Sequence, residues 1–177
     1  MCSLKAMSWK CIFSNCDSRC YAHKIWRVIR QKIQNTYLRN NIDGFIFVSE
    51  FSKKILKSYI ADGEVISNPL PTSKKKFVDV VQNKCALYIG RLSKEKNPLL
   101  LAQAAKQLKI PVIFIGDGEC RENIRDINPN AIITGWLNRD DMWKYIYEAR
   151  YLVFPSIWYE TQGMVVGEMA SYGIPAI

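Results

Sequence analysis

Residues 85–115, CALYIGRLSKEKNPLLLAQAAKQLKIPVIFI, decide the fold. Two nearly continuous apolar runs, 85–89 and 112–115, enclose a helical period over 98–109. Strand, helix, strand in this order makes a crossover unit, and strands apolar at every position belong to a parallel sheet covered on both faces. The same alternation continues downstream. A helix is expected around 120–127, a strand over 131–134, a helix over 140–149, a strand over 151–154 and a helix over 164–172, after which IPAI (174–177) reads as the start of another buried strand. In such sheets ligands bind outside the carboxyl ends of the strands, so the loops after Ile89, Ile115, Thr134 and Phe154 are the places to seek chemistry.

Upstream the pattern differs. Ile25, Ile29, Ile33 and Tyr37 recur every four positions within 21–40, with Trp26 beside them and Lys24, Arg27 and Arg30 elsewhere on the wheel, which predicts an amphipathic helix. Residues 43–49, DGFIFVS, suit a buried strand, and Ser49 is placed to cap a helix over 50–60. Residues 1–83 carry 14 Lys and Arg against 6 acids, net +8, while residues 84–177 carry 11 against 10, net +1. The change falls at NPLPTSKKKF (68–77), with two prolines, a lysine run and no periodicity. The expected organisation is a first unit over 1–69, a linker over 70–83 and a second unit over 84–177. A lone strand with two helices makes no sheet of this kind, and the chain stops inside an expected core strand. We therefore expect an internal piece of a longer protein.

The composition, 49% hydrophobic and 23% charged with a formal net charge of +9, is that of a globular protein and excludes disordered and collagen-like classes. No apolar run approaches the roughly 20 residues of a membrane-spanning helix. The first residues contain no signal-peptide pattern, so a cytoplasmic, reduced chain is expected, with a contact at the inner membrane face as a further option.

Three loops carry candidate ligand chemistry. In GRLSKEKN (90–97), Gly90 allows close backbone approach, and Arg91 with Lys96 could place two cations on a diphosphate, each charge-assisted bond contributing about 1.5–3 kcal/mol. A solvated basic loop has the same composition. Gly116-Asp117-Gly118 opens like a dinucleotide fingerprint, yet Arg121 stands where its third glycine should be, and an ordinary strand-to-helix turn reads the same. In PSIWYETQGMVVGEM (155–169), Glu160 and Glu168 flank Gly163, where a helix start offers free amides to an anion. Glu168 could accept from a ribose diol and Glu160 from sugar hydroxyls; both are also ordinary helix-start charges.

Taken in order, GRLSKEKN, IGDGE (115–119), TGWL (134–137), PS-x3-E-x7-E (155–168) with Gly163, and SYGIPAI (171–177) resemble the retaining glycosyltransferases of family 4, the glycosyl transferases group 1 with a GT-B fold. DGFIFVSEFSKKIL (43–56) followed by NPLP (68–71) is similar to the end of that family's N-terminal domain, and the resemblance runs from about Cys11 to Ile177. It implies an α/β chain of GT-B type: the end of an acceptor-side Rossmann-like domain, then most of a nucleotide-sugar-binding Rossmann-like parallel-sheet domain.

The resemblance further implies a retaining transfer of a hexose-like sugar from a UDP-, GDP- or ADP-sugar to a glycan or lipid-linked acceptor, in surface polysaccharide synthesis. Arg91, Lys96 and Glu160 would act at the reacting centre. Gly90, Gly116, Gly118, Gly163, Met164 and Glu168 would complete the donor-sugar nucleotide site, with Glu168 on the ribose. No cofactor and no metal at the diphosphate are expected, and the sequence has no Asp-x-Asp pair to hold one. Two departures stand out. Gln162 occupies a place often aromatic in the family, and the family's N-terminal half, with its frequent catalytic histidine, has no counterpart in this sequence.

Two features stand outside the resemblance's motifs. Cys11-x4-Cys16-x3-Cys20-x2-His23, with Cys2 as a further thiol, has ligand types suited to zinc, although the spacing matches no common finger and small buried hydrophobes read the same. The basic first unit is explained by docking of its helix on another half-domain, by peripheral contact with an anionic membrane, or by a solvated face. No motif of interleaved aromatic and basic residues points to nucleic acid. A different class, a non-catalytic nucleotide- or phosphate-binding module or an inactive truncated fragment, shares the same motifs and would bind a donor sugar nucleotide without breaking it.

Overall fold

The computed structural model describes residue 13 and residues 20–57, 62–70, 77–158 and 160–177. The chain divides into two compact units, Met1–Asn68 and Pro69–Ile177.

In the first unit, helix α1 (Tyr21–Asn41) precedes strand β1 (Phe45–Phe47), helix α2 (Glu50–Leu56) and strand β2 (Gly63–Val65). Ser49 caps α2 as expected. Its hydroxyl accepts from the Ser52 amide at 3.1 Å while the Ser52 hydroxyl accepts from the Ser49 amide at 3.1 Å, a reciprocal arrangement that satisfies two orphan donors. The strand expected over 43–49 is β1, and the sequence reading missed its parallel partner β2. A three-residue strand containing glycine and glutamate carries no apolar run to detect. Gly63 is nevertheless fixed by the pairing, since a Cβ there would lie 2.1 Å from the Phe45 carbonyl oxygen. On α1 the face carrying Ile25, Trp26, Ile29, Ile33 and Tyr37 is exposed, whereas Lys24 is buried and Val28, Asn35 and Leu38 are half-buried on the other side of the helix. No described helix is long and apolar enough to cross a membrane.

The second unit is a four-stranded parallel sheet in the order β5-β4-β3-β6. Its elements are β3 (Cys85–Ile89), a 3-10 turn (Lys94–Lys96), α3 (Pro98–Leu108), β4 (Val112–Ile115), α4 (Arg121–Ile127), β5 (Ile132–Gly135), α5 (Arg139–Ile146), β6 (Ala149–Leu152) and α6 (Met164–Ser171). The reason the strands read as unbroken apolar runs lies in their two faces. Leu87, Ile113 and Ile115 pack with Ile146 of α5 and Met169 of α6. Ala86, Tyr88, Val112 and Phe114 pack with Leu101, Ala102 and Ala105 of α3 and Ile124 of α4. Side chains alternate with period two, and both sides are dry.

Helix α5 and strand β6 start earlier than the sequence reading placed them. Asn138 caps α5, its Oδ1 accepting from the Asp141 amide at 2.9 Å. Ala149, expected in the helix, pairs with Cys85 in the sheet, and the register then skips Arg150. That bulged arginine turns outward and donates to the carbonyls of Val80 and Val81 at 2.6 and 2.7 Å. At the other end, the Leu152 amide donates to the Pro175 carbonyl and the Ile177 amide to the Leu152 carbonyl, so IPAI lies alongside β6 in parallel bridging at Ala176.

Gly116 has φ +145, and a Cβ there would sit 1.9 Å from the Gly90 carbonyl oxygen. Gly116→Ala should therefore lower the thermal midpoint by about 5 °C or more, whereas Gly44→Ala, with open space around the added carbon, should shift it by less than about 2 °C. Burial also pushes the Cys85 thiol from its ordinary value of 9.0 up to about 11. A thiol that keeps its proton longer when folded contributes stability that is fully present below pH 9.0 and lost as the pH rises to about 11. Denaturant unfolding across this interval should show Cys85→Ala losing less stability than the parent.

Candidate functional site

Strands β3, β4 and β5 are laid down progressively to one side, with α3 and α4 on one face of the sheet. Helix α5 then crosses the other face and delivers β6 to the far side of β3. The order reverses between β3 and β6, and that reversal leaves a crevice at their carboxyl ends. The loops after β3 and β6 line it.

The β3 loop is held by its neighbours. The Tyr88 hydroxyl donates to the Arg91 carbonyl at 2.7 Å, fixing the main chain at Arg91 while its side chain stays exposed. Leu92 is fully buried; its amide donates to the Asp117 carbonyl at 2.9 Å, and its carbonyl accepts from the Cys120 amide at 2.9 Å. A Cβ at Gly118 would lie 2.6 Å from the Leu92 carbonyl oxygen. Gly116 and Gly118 thus let the β4 loop lie directly against the β3 loop. Arg121 does not leave a gap where a third glycine would be; its Nη1 donates to Asp117 Oδ2 at 2.7 Å, while Asp117 Oδ1 accepts from the Gly118 amide at 2.8 Å.

The β3 and β6 loops are joined across the crevice. The Ile157 amide donates to the Glu95 carbonyl at 3.0 Å. Lys96 Nζ forms an ion pair with Glu160 Oε1, and the Ser156 hydroxyl donates to the same oxygen at 2.9 Å. The ammonium also lies 5.8 Å from the centre of the Phe154 ring. The side chains of Lys96 and Glu160 are 29% and 25% exposed, which places the pair between a screened surface pair and a dry one.

The β6 loop ends at Gly163, whose φ of 63 starts α6 without a side-chain cap. About one turn later comes Glu168. Its Oε1 accepts from Arg139 Nη2 at 2.5 Å and from the Tyr172 hydroxyl at 3.3 Å. The bond to Glu168 raises the Arg139 guanidinium above its already high ordinary value. The β5 loop supplies Arg139 just after the exposed Trp136 and the capping Asn138.

The structure therefore brings Lys96 and Glu160 together, puts Gly163, Met164 and Glu168 on one helix start, and leaves Arg91 exposed on the neighbouring loop. Sequence reading missed Arg139, Ser156 and Tyr172. Ser156 was legible as part of the PS-x3-E motif, but nothing in the spacing joins Arg139 to a carboxylate 29 residues on. Of the cysteine and histidine cluster, Cys2, Cys11 and Cys16 lie outside the described residues. Cys20 caps α1, its sulfur accepting from the His23 amide at 3.4 Å. Among the described residues there is no group of three or more His, Cys, Asp or Glu that could hold a metal ion.

Set against known proteins, residues 71–177 match the family described as "Glycosyl transferases group 1". The UDP-Gal:alpha-D-GlcNAc-diphosphoundecaprenol alpha-1,3-galactosyltransferase of Escherichia coli is 29% identical over 59% of this chain and 30% of its own length. A GDP-mannose-dependent alpha-mannosyltransferase of Corynebacterium glutamicum is 27% identical over 60% of this chain and 24% of its own length. The chain thus spans less than a third of either relative. Among solved structures, sucrose-phosphate synthase from Thermosynechococcus elongatus superposes with a TM-score of 0.67 at 21% identity, over 84% of this chain and 43% of that one. The likeness shows the α/β fold of GT-B type expected from the sequence.

If Lys96 and Glu160 tie the two loops, a double-mutant cycle of Lys96→Met and Glu160→Gln should give a coupling energy of about 1 kcal/mol by denaturant unfolding. A coupling of zero would mean that the loops are joined by their main-chain bonds alone.

Proposed function

The chain belongs to the glycosyl transferases group 1 family, and on that premise we propose that its second unit binds the nucleotide sugar of a retaining glycosyltransferase. The observation that carries this reading is the position of the Lys96–Glu160 pair on two loops that meet where the sheet order reverses. A crevice with a cation, a carboxylate and an uncapped helix start suits a diphosphate joined to a sugar.

In this reading the diphosphate lies between Arg91, Lys96 and the amides at Gly163 and Met164. It displaces Glu160 from the Lys96 ammonium, and the freed carboxylate accepts from hydroxyls of the sugar. Gly90, Gly116 and Gly118 keep the adjoining main chain close to the ligand, and Glu168 accepts from the ribose. As the bond between the sugar's anomeric carbon and the diphosphate oxygen breaks, its electron pair stays on that oxygen. Arg91, Lys96 and the positive end of α6 stabilise the charge that develops there. The acceptor hydroxyl then bonds to the anomeric carbon on the face the diphosphate leaves and passes its proton to the departing diphosphate oxygen, which retains the configuration. These groups supply the neutralisation without a metal ion.

The acceptor is a glycan or a lipid-linked saccharide; the E. coli relative's name specifies a diphosphoundecaprenol acceptor. The sugar nucleotide is a UDP-, GDP- or ADP-sugar, and the two curated relatives' names specify UDP-Gal and GDP-mannose. A role in surface polysaccharide synthesis follows from that chemistry. The exposed Ile and Trp face of α1, in a helix whose charged residues are all basic, supports contact of the first unit with an anionic membrane face where a lipid-linked acceptor would reside.

Arg91→Ala and Glu168→Ala should each weaken binding of a nucleoside diphosphate about tenfold or more, measured by calorimetry, because each removes a charge-assisted contact. Parent-like affinity in both variants would remove the diphosphate and ribose assignments. Release of nucleoside diphosphate from a sugar nucleotide distinguishes an enzyme from a module that binds and lets go.

A further inference from the structure

We propose that Arg139 is a positioning residue that sets the Glu168 carboxylate to receive a ribose diol, with the Tyr172 hydroxyl as its second support. The inference rests on the reading of Glu168 as the ribose acceptor given above and extends it to a residue on another loop.

Arg139 is the first residue of α5. A cation in the first helical turn opposes the macrodipole, and Asp140 and Asp141 already satisfy that end. Its own helix therefore gives no reason for an arginine. The side chain instead reaches across to α6, where Nη2 donates to Glu168 Oε1 at 2.5 Å. The Tyr172 hydroxyl, one turn beyond Glu168, donates to the same oxygen at 3.3 Å. Both supports converge on Oε1, while Oε2 makes no hydrogen bond among the described residues. A carboxylate gripped by one oxygen has its plane fixed and its other oxygen open, with two lone pairs able to accept from two adjacent hydroxyls. The Glu168 side chain is 27% exposed, enough for a ligand to meet it. A glutamate held only by its own helix would sample several rotamers, and each hydroxyl bond would carry the cost of ordering it.

The test compares a nucleoside diphosphate with its 2′,3′-dideoxy counterpart by calorimetry, using whichever of UDP, GDP or ADP the parent binds. Removing the hydroxyls should weaken binding to the parent about tenfold. In Glu168→Gln that preference should disappear. In Arg139→Met it should fall at least threefold while affinity for the dideoxy compound stays within twofold of the parent. Arg139→Lys should recover part of the preference, since the contact uses a single donor nitrogen, and Tyr172→Phe should show a smaller loss than Arg139→Met. The Arg139 side chain is 51% exposed, so the Arg139 variants should fold, and an unchanged thermal midpoint in each of the variants would verify that the fold is intact. An undiminished ribose preference in Arg139→Met overturns the proposal while leaving the role of Glu168 standing. Equal weakening of both nucleotides also overturns it, assigning Arg139 to the diphosphate or to the fold. No ribose preference in the parent, or no nucleotide binding, overturns the reading of Glu168 and this inference with it.

Discussion

The Lys96–Glu160 ion pair lies where the order of the parallel sheet reverses, and the crossover that brings its two loops together is the constraint on which the site depends. The two residues are 64 positions apart, on loops that leave neighbouring strands β3 and β6. Those strands are neighbours because α5 crosses the sheet face opposite α3 and α4, bringing the chain back past β3. The crossover is favoured by burial: Ile146 of α5 and Met169 of α6 share one core with Leu87 and Ile113. Once the strands are paired, the loop main chains meet at Glu95 and Ile157, and the side chains of Lys96 and Glu160 fall within reach. An ion pair in a crevice that also presents an uncapped helix start is a site balanced against itself. A ligand carrying both a diphosphate and hydroxyls can take each partner in turn and leave neither charge alone.

Much of this was legible in the sequence because burial on two faces writes itself as an apolar run. Residues 85–89 and 112–115 could not be amphipathic strands, and their alternation with helical periods left a parallel sheet as the outcome. The motif residues followed from the same fact, since ligand loops in such sheets sit after the strands. Other features carried no local signal. Strand β2 is three residues long and is defined by pairing with β1, so nothing in GEV announces it. The early start of β6 reflects a bulge at Arg150, whose outward turn depends on carbonyls 69 and 70 residues away. The Arg139–Glu168 contact needs the crossover of α5 to exist before it can form. Gly116 and Gly118 looked like the opening of a phosphate-binding fingerprint, yet their absent side chains are already required by the carbonyls of Gly90 and Leu92.

The two units differ in what their surfaces are suited to do. In the second, several cations stand beside carboxylates, as at Lys96–Glu160, Arg121–Asp117 and Arg139–Glu168. Such pairing makes a site selective for ligands able to satisfy both signs. The first unit is strongly basic and turns the apolar face of α1 outward while Lys24 lies buried on the other side. An apolar helix face turned outward suits the membrane contact proposed for the first unit, whereas the second unit carries the residues proposed to bind the sugar nucleotide.

Amide hydrogen exchange would show whether the diphosphate binds at the junction of the β3 and β6 loops. The chain would be followed with and without saturating UDP, GDP or ADP. Slowed exchange is expected at residues 90–97 and at the start of α6, around 163–168, with the central strands unchanged because they are already protected. Protection confined to α3 and β6, or to the first unit, would rule that position out.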